Sequence, residues 1–208
     1  MPDVMPMIHR EREMLAGDLE RLTPEQWQAP SLCDKWNVQQ LVGHITAAGN
    51  ITFLHFFPRF VAAGFNFDKT VGRDLVSYAA GTPDEVLARY RMIINSNRTP
   101  PAPKAKEVAL GEIMMHGEDI RRSVGSPGTH PDEHVLALAD SVRASGAPWR
   151  GKTRSAGLRL TATDVEWTRG DGPEVRGPAM SLILAMAGRS KALEECAGEG
   201  VDTMRARM

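Results

Sequence analysis

The sequence predicts a mainly α protein, a helical core followed by a small mixed α+β appendage. Two observations carry this. Through residue 145 the apolar residues recur at three- and four-residue spacing behind repeated helix-start signals. After Ser145 the pattern changes, and residues 157–167 alternate apolar and polar in the manner of short strands. The break divides the chain into an expected helical domain, 1–145, and a small mixed region, 146–208, packed on it.

The elements follow in order. Residues 7–21 set Ile8, Leu15 and Leu19 among charges at helical spacing, with Leu22 just beyond. Thr23-Pro24-Glu25-Gln26 is a start signal: Thr23 caps, Pro24 suits the first position and Gln26 reaches back. Only a short turn can follow, because Pro30 comes soon. Asn37 and Gln40 repeat the signal, and Val38, Leu41, Val42 and Ile45 follow on one face. This helix is expected to run on through Ile51 and Phe57, weakened by Gly49 and disturbed by Pro58. Residues 64–80 read as a loop and then a short helix. Thr82-Pro83-Asp84-Glu85 opens another capped helix over 85–97, with Val86, Leu87, Tyr90, Ile93 and Ile94 as its stripe. Residues 106–124 and 132–143 complete the helical half.

In the tail, Leu158, Leu160 and Ala162, then Val165 and Trp167, read as two short strands joined through Thr163-Asp164, or as one bulged strand. Residues 169–173 form a turn and 174–176 a further strand. Gly177-Pro178 starts a last apolar helix through Ala187, and a short helix covers 190–196.

Composition excludes several classes of function. With 25 Lys+Arg against 26 Asp+Glu, the net charge of -1 argues against a protein held to nucleic acid by phosphate contacts. A 42% hydrophobic content excludes disorder of the whole chain. The most apolar run, 51–57, contains His55 and meets Pro58, far short of the roughly 20 apolar residues that span a bilayer. The first residues lack the basic-then-apolar order of an export signal. The expectation is a cytoplasmic protein with no nucleic-acid or membrane partner. Two cysteines, Cys33 and Cys196, cannot build a disulfide framework or a multi-cysteine metal cluster, and both read as ordinary thiols.

The chemistry gathers on two helices. Glu112 and His116 are four apart, and Asp119 extends their line. His44 lies close to the apolar stripe of its own helix, and His55 falls on roughly the same face. A carboxylate and two imidazoles are a sound donor set for Zn²⁺ or a similar divalent ion, because the carboxylate offsets charge while imidazole gives a neutral nitrogen. Asp119 can ligate or can orient a ligand imidazole from behind. The same Glu–His spacing is common on solvated helix faces, and a single histidine is more often packed than ligating. Spacing alone leaves both readings open. His9, His130 and His134 read as surface residues. Trp27 and Trp36 read as anchors of the turn before the His44 helix.

Three ordered blocks carry a resemblance: Leu22-Thr23-Pro24-Glu25-Gln26-Trp27 with Trp36-Asn37-Val38 and Leu41-Val42-Gly43-His44-Ile45; Gly111-Glu112-Ile113-Met114-Met115-His116-Gly117-Glu118-Asp119-Ile120-Arg121-Arg122; and the tail from Leu158 to Gly172 with Gly177-Pro178-Ala179. They resemble the DinB-like metal-binding superfamily and, more closely, the mycothiol-dependent maleylpyruvate isomerase family of actinobacteria. The resemblance implies a DinB-like four-helix bundle with a metal near one end, and it maps the ligands onto His44, Glu112 and His116. It implies a divalent metal, zinc first, and mycothiol as a low-molecular-weight thiol that attacks a small electrophile in a transfer or isomerisation. Asp119 is then the catalytic candidate, as a base or as a support for His116. Arg121, Arg122 and His55 are the candidates for holding the cofactor, although adjacent arginines on a helix do not share a face. Hydrolysis by metal-bound water and a non-catalytic metal-binding regulatory module are the alternatives. A homodimer is compatible with the resemblance. The tail reads as a reduced appendage, too short for a full second domain.

Overall fold

Capping chemistry fixes where the early helices begin. The computed structural model describes residues 3–33, 36–51, 53–64, 76–99, 104–147 and 149–208, with the backbone alone for 53–55. In it α1 spans Met5–Leu19, α2 Pro24–Gln28, α3 Val38–Asn50, α4 Phe53–Ala62, α5 Pro83–Arg91 and α6 Ala105–Ser123. Thr23, Asn37 and Thr82 each accept a hydrogen bond from the main-chain N–H three residues on. Gln26, Gln40 and Glu85 accept in return from the cap N–H. Each box satisfies donors that a helix start otherwise leaves open.

Two helix ends differ from expectation. α3 stops at Asn50, where Ile51 turns extended with φ -62 and ψ 137, rather than running on through Phe57. The chain restarts as α4, which carries Pro58 in its interior. Pro58 therefore removes one donor from a new helix instead of disturbing the end of the old one. α5 stops at Arg91 rather than 97, tightening through Met92, Ile93 and Ile94, whose N–H groups bond three residues back. The loop and short helix expected over 64–80 fall largely on residues 65–75, outside the described residues.

The chain forms two compact units, Met1–Gly128 and Thr129–Met208. In the first, α1 packs on α5 and α6, while α3 packs on α5, α6 and α2. These four long elements share a core of Ile8, Leu15, Leu41, Val42, Tyr90, Ile93, Leu110 and Met114, all essentially inaccessible. Burial of that apolar surface is the main force holding the bundle. Gly49 lets α3 approach the end of α5: a Cβ there would lie 2.6 Å from Ile93 Cδ1. Polar groups inside this core are paired. Arg12 is buried and donates to the carbonyls of Ile93 at 2.9 Å and Ser96 at 2.7 Å. The Tyr90 hydroxyl donates to the Arg12 carbonyl at 3.0 Å. Buried polar atoms without such partners would cost more than the bonds return.

The second unit contains α7 (Asp132–Ala144), α8 (Gly151–Arg154), β1 (Arg159–Ala162), β2 (Thr168–Arg169), β3 (Glu174–Gly177), α9 (Ala179–Met186), a 3₁₀ helix over Ser190–Glu195 and α10 (Val201–Arg205). α7 belongs to the second unit and not to the helical domain expected through residue 145, and it packs on α8 and α9. Every residue of α9 is buried, because it touches α7, α8, the 3₁₀ helix, β1 and β3. The sheet order is β2-β1-β3, with β1 antiparallel to β2 and parallel to β3 in the register Leu160↔Val175. The second strand is Thr168–Arg169, not 165–167. Trp167 instead turns inward and donates through Nε1 to Asp140 Oδ1 at 2.9 Å. α8 and α10 are helices that the sequence reading did not expect. His130 and His134 are buried, 9% and 2% exposed, not surface residues. Among the described residues no helix is long and apolar enough to cross a membrane.

Candidate metal centre

The capping box at Asn37 sets the phase of α3, and that phase turns His44 toward α6. On α6, Glu112 and His116 are one turn apart. His44 Nε2 lies 3.0 Å from Glu112 Oε2, and His116 Nε2 lies 3.5 Å from the same oxygen. The ligand atoms of His44, Glu112 and His116 all fall within 4.8 Å of one another. Both imidazole side chains are only 12% exposed, and Glu112 is 20% exposed. The two rings meet edge-to-face at 5.1 Å between centroids.

Asp119 stands behind this group. It is fully buried, and its Oδ2 lies 3.0 Å from His116 Nδ1. A neutral imidazole has one N–H. Given to Asp119 through Nδ1, it leaves the Nε2 lone pair facing the Glu112 oxygen. Two lone pairs so placed repel unless a cation lies between them. His44 Nδ1 is buried with no hydrogen-bond partner among the described residues, so the ring is held by its other nitrogen and by stacking. The donor set, two imidazoles and the Glu112 carboxylate, fits a divalent ion in both charge and hardness.

The loop before α3 covers the group. Trp36 stacks on His44 with centroids 4.6 Å apart and an interplanar angle of 27°, and it presents an edge to His116 at 6.4 Å. Pro30 and Asn37 form an antiparallel bridge that closes the loop. Inside it the Ser31 hydroxyl donates to the Trp36 carbonyl at 2.7 Å and accepts from Cys33 N–H at 3.1 Å. The Leu32 N–H donates to the Asp119 carbonyl at 3.1 Å, tying the loop to α6.

The family profile of the mycothiol maleylpyruvate isomerase N-terminal domain matches residues 8–121, more than half of the chain. The chain belongs to this family. The match takes in His44, Glu112, His116 and Asp119. No curated protein matches the chain. Two solved structures share the fold, the mycothiol-dependent maleylpyruvate isomerase and a histidine-to-alanine mutant of it. The first is 13% identical with a TM-score of 0.63, the second 12% identical with a TM-score of 0.62. In both cases the likeness covers 94% of this chain and 91% of the other. A DinB-like bundle with a small sheet-bearing appendage is thus the fold. The likeness spans nearly the whole isomerase chain, which corrects the expectation that the tail is a reduced version of something larger.

The other candidates of this family member stand elsewhere. Arg121 is 4% exposed and donates through Nε to Asp18 at 2.6 Å. Arg122 donates through Nε to Glu118 at 2.8 Å. Neither joins the His44–Glu112–His116 group. The His55 side chain lies outside the described residues. Two neighbours of the group, Trp36 and Cys33, have a closer place at it than the sequence indicates. Trp36 reads in the sequence as an anchor of the turn before α3, and the residue before a cap ordinarily packs on the fourth helical position, here Leu41, so its stack on His44 is not announced by local spacing. Cys33 comes close to His116 and Asp119 through the Leu32 tie, which no local spacing reveals.

Proposed function

We propose that His44, Glu112 and His116 hold a divalent metal, zinc first among the candidates, and that the protein catalyses a mycothiol-dependent transfer or isomerisation of a small electrophile. One observation carries the reading: two imidazole nitrogens converge on a single carboxylate oxygen, with all ligand atoms inside 4.8 Å. Membership of the isomerase domain family and the likeness in fold support the thiol and the electrophile as the chemical classes involved.

When bound, the cation would supply the positive charge that favours the thiolate form of the thiol and polarises the electrophile. The residues of the chain do the rest. Glu112 offsets the charge. Asp119 accepts a hydrogen bond from the Nδ1–H of His116 and so commits Nε2 to the cluster; we read it as a positioning residue for His116 and not as a base. Trp36 limits rotation of the His44 ring. Arg121 and Arg122 take no part in this reading, because Asp18 and Glu118 engage them. The setting is a cytoplasm rich in reduced thiol.

The test is metal analysis joined to turnover. Protein purified without added metal should carry zinc in equal amount, and His44→Ala should not. Loaded protein should consume small electrophiles only when mycothiol is present. Turnover without thiol would replace this reading with a hydrolase, and thiol binding without turnover would replace it with a binding module. Absence of metal from the unaltered protein, with no uptake on reconstitution, would overturn the centre itself.

A further inference from the structure

A second set of ligating side chains stands on the far side of the His116 ring. One ligand atom each from Cys33, His116 and Asp119 lie within 4.8 Å of one another. The nitrogen that His116 turns to Asp119 is Nδ1, at 3.0 Å, while Nε2 is turned to Glu112. Asp119 is fully buried and Cys33 half-buried. The Leu32–Asp119 main-chain bond and the Ser31 hydroxyl hold the loop that brings the thiol there. A thiol, an imidazole nitrogen and a carboxylate at this spacing are a donor set of a different character from that of the first group.

We propose that Cys33, His116 and Asp119 form a second cation site, selective for a soft divalent ion such as cadmium, which competes with the His44–Glu112–His116 group for the single imidazole of His116. The competition, though not the site, rests on the metal centre proposed above. Thiolate sulfur prefers soft ions, whereas the first group offers only nitrogen and oxygen. On binding, the Cys33 S–H bond breaks, its proton passes to the buffer and a sulfur–metal bond forms, with no change of oxidation state. His116 has one lone pair to give while neutral. Given from Nδ1, it leaves the ring hydrogen on Nε2, where that hydrogen points at Glu112 Oε2. The first group is then short of its third donor. A soft ion at the second site thus empties the first by moving one hydrogen across the ring.

To test this, full-length protein, metal-free in one arm and zinc-loaded in the other, is titrated with cadmium; the ultraviolet charge-transfer absorption of cadmium thiolate is followed in both arms, and zinc released from the loaded protein is followed by a chelating dye. The unaltered chain should develop the absorption, and each equivalent of cadmium bound should release one of zinc. Cys33→Ser should abolish the absorption and Cys196→Ser should keep it. Asp119→Asn should weaken cadmium binding tenfold or more. His44→Ala should lose zinc affinity while keeping the cadmium absorption. Absorption that survives in Cys33→Ser, or that is absent from the unaltered chain, overturns the site. Absorption lost in His44→Ala also overturns it, because Cys33 would then be adding to the first group. Circular dichroism of Cys33→Ser guards against misfolding as the cause of a loss. If the unaltered chain binds cadmium through Cys33 but no zinc at all, the second site stands, and the metal centre and the competition fall.

Discussion

His116 Nδ1 lies 3.0 Å from Asp119 Oδ2, and Asp119 is wholly removed from solvent. A buried carboxylate in that position chooses which ring nitrogen carries the hydrogen. Asp119→Asn keeps the shape but presents an amide that can turn either way. Zinc affinity should fall about 10–100-fold, the usual cost of losing a partner that orients a ligand histidine. Competition with a chelator measures it. Affinity unchanged in a variant of unchanged helical content would remove Asp119 from the positioning role.

The stack of Trp36 on His44 gives a second, optical prediction. Zinc added to the metal-free protein should change tryptophan emission, and Trp36→Phe should abolish the change while keeping metal affinity. Trp36→Ala should weaken zinc binding several-fold, in line with the roughly 0.5–1.5 kcal/mol that an aromatic pair contributes. Equal affinity in the alanine and phenylalanine variants would show that the stack does not hold His44.

Arg12 should be a large contributor to stability. Its guanidinium is buried and donates to two carbonyls beyond the end of α5. Arg12→Ala leaves both acceptors without their charged donor, and chemical denaturation should show a loss of about 3 kcal/mol. A loss well under ~1 kcal/mol would mean that water replaces the guanidinium readily.

Tyr90 sets an alkaline limit. Burial pushes its phenol well above the ordinary tyrosine range. The native phenol therefore keeps its proton at pH values where the unfolded one releases it. The native state binds more protons there, so stability falls as pH rises past that range. Phenolate absorption from Tyr90 should appear only together with unfolding, and Tyr90→Phe should move the alkaline unfolding midpoint upward. Ionisation of Tyr90 in protein that is still folded would contradict its burial.

Much of the bundle was legible because capping is local chemistry. Thr23 with Gln26, Asn37 with Gln40 and Thr82 with Glu85 are three-residue relationships, and all three boxes form. The stop of α3 at Asn50 was not legible, since nothing in its stripe announces the extended turn at Ile51. The burial of His130 and His134 depends on what packs over them, as does the inward turn of Trp167 that moves the second strand to Thr168. The candidate centre divides in the same way. Glu112 and His116 meet because one helical turn separates them, which spacing carries. The approach of His44 to that pair crosses 68 residues of chain, and only the family resemblance pointed to it. Cys33 lay beyond both kinds of signal, because a main-chain bond between distant segments brings it in.

That bond, from the Leu32 N–H to the Asp119 carbonyl, involves no side chain at either end. Substitution at position 32 therefore leaves the tie intact, with proline the exception because it has no N–H to give. The loop that covers the histidines can accordingly drift in sequence while keeping its place. A lineage can exchange the thiol or the indole on it, and so alter what lies against the histidines, without first having to rebuild the attachment that holds them there.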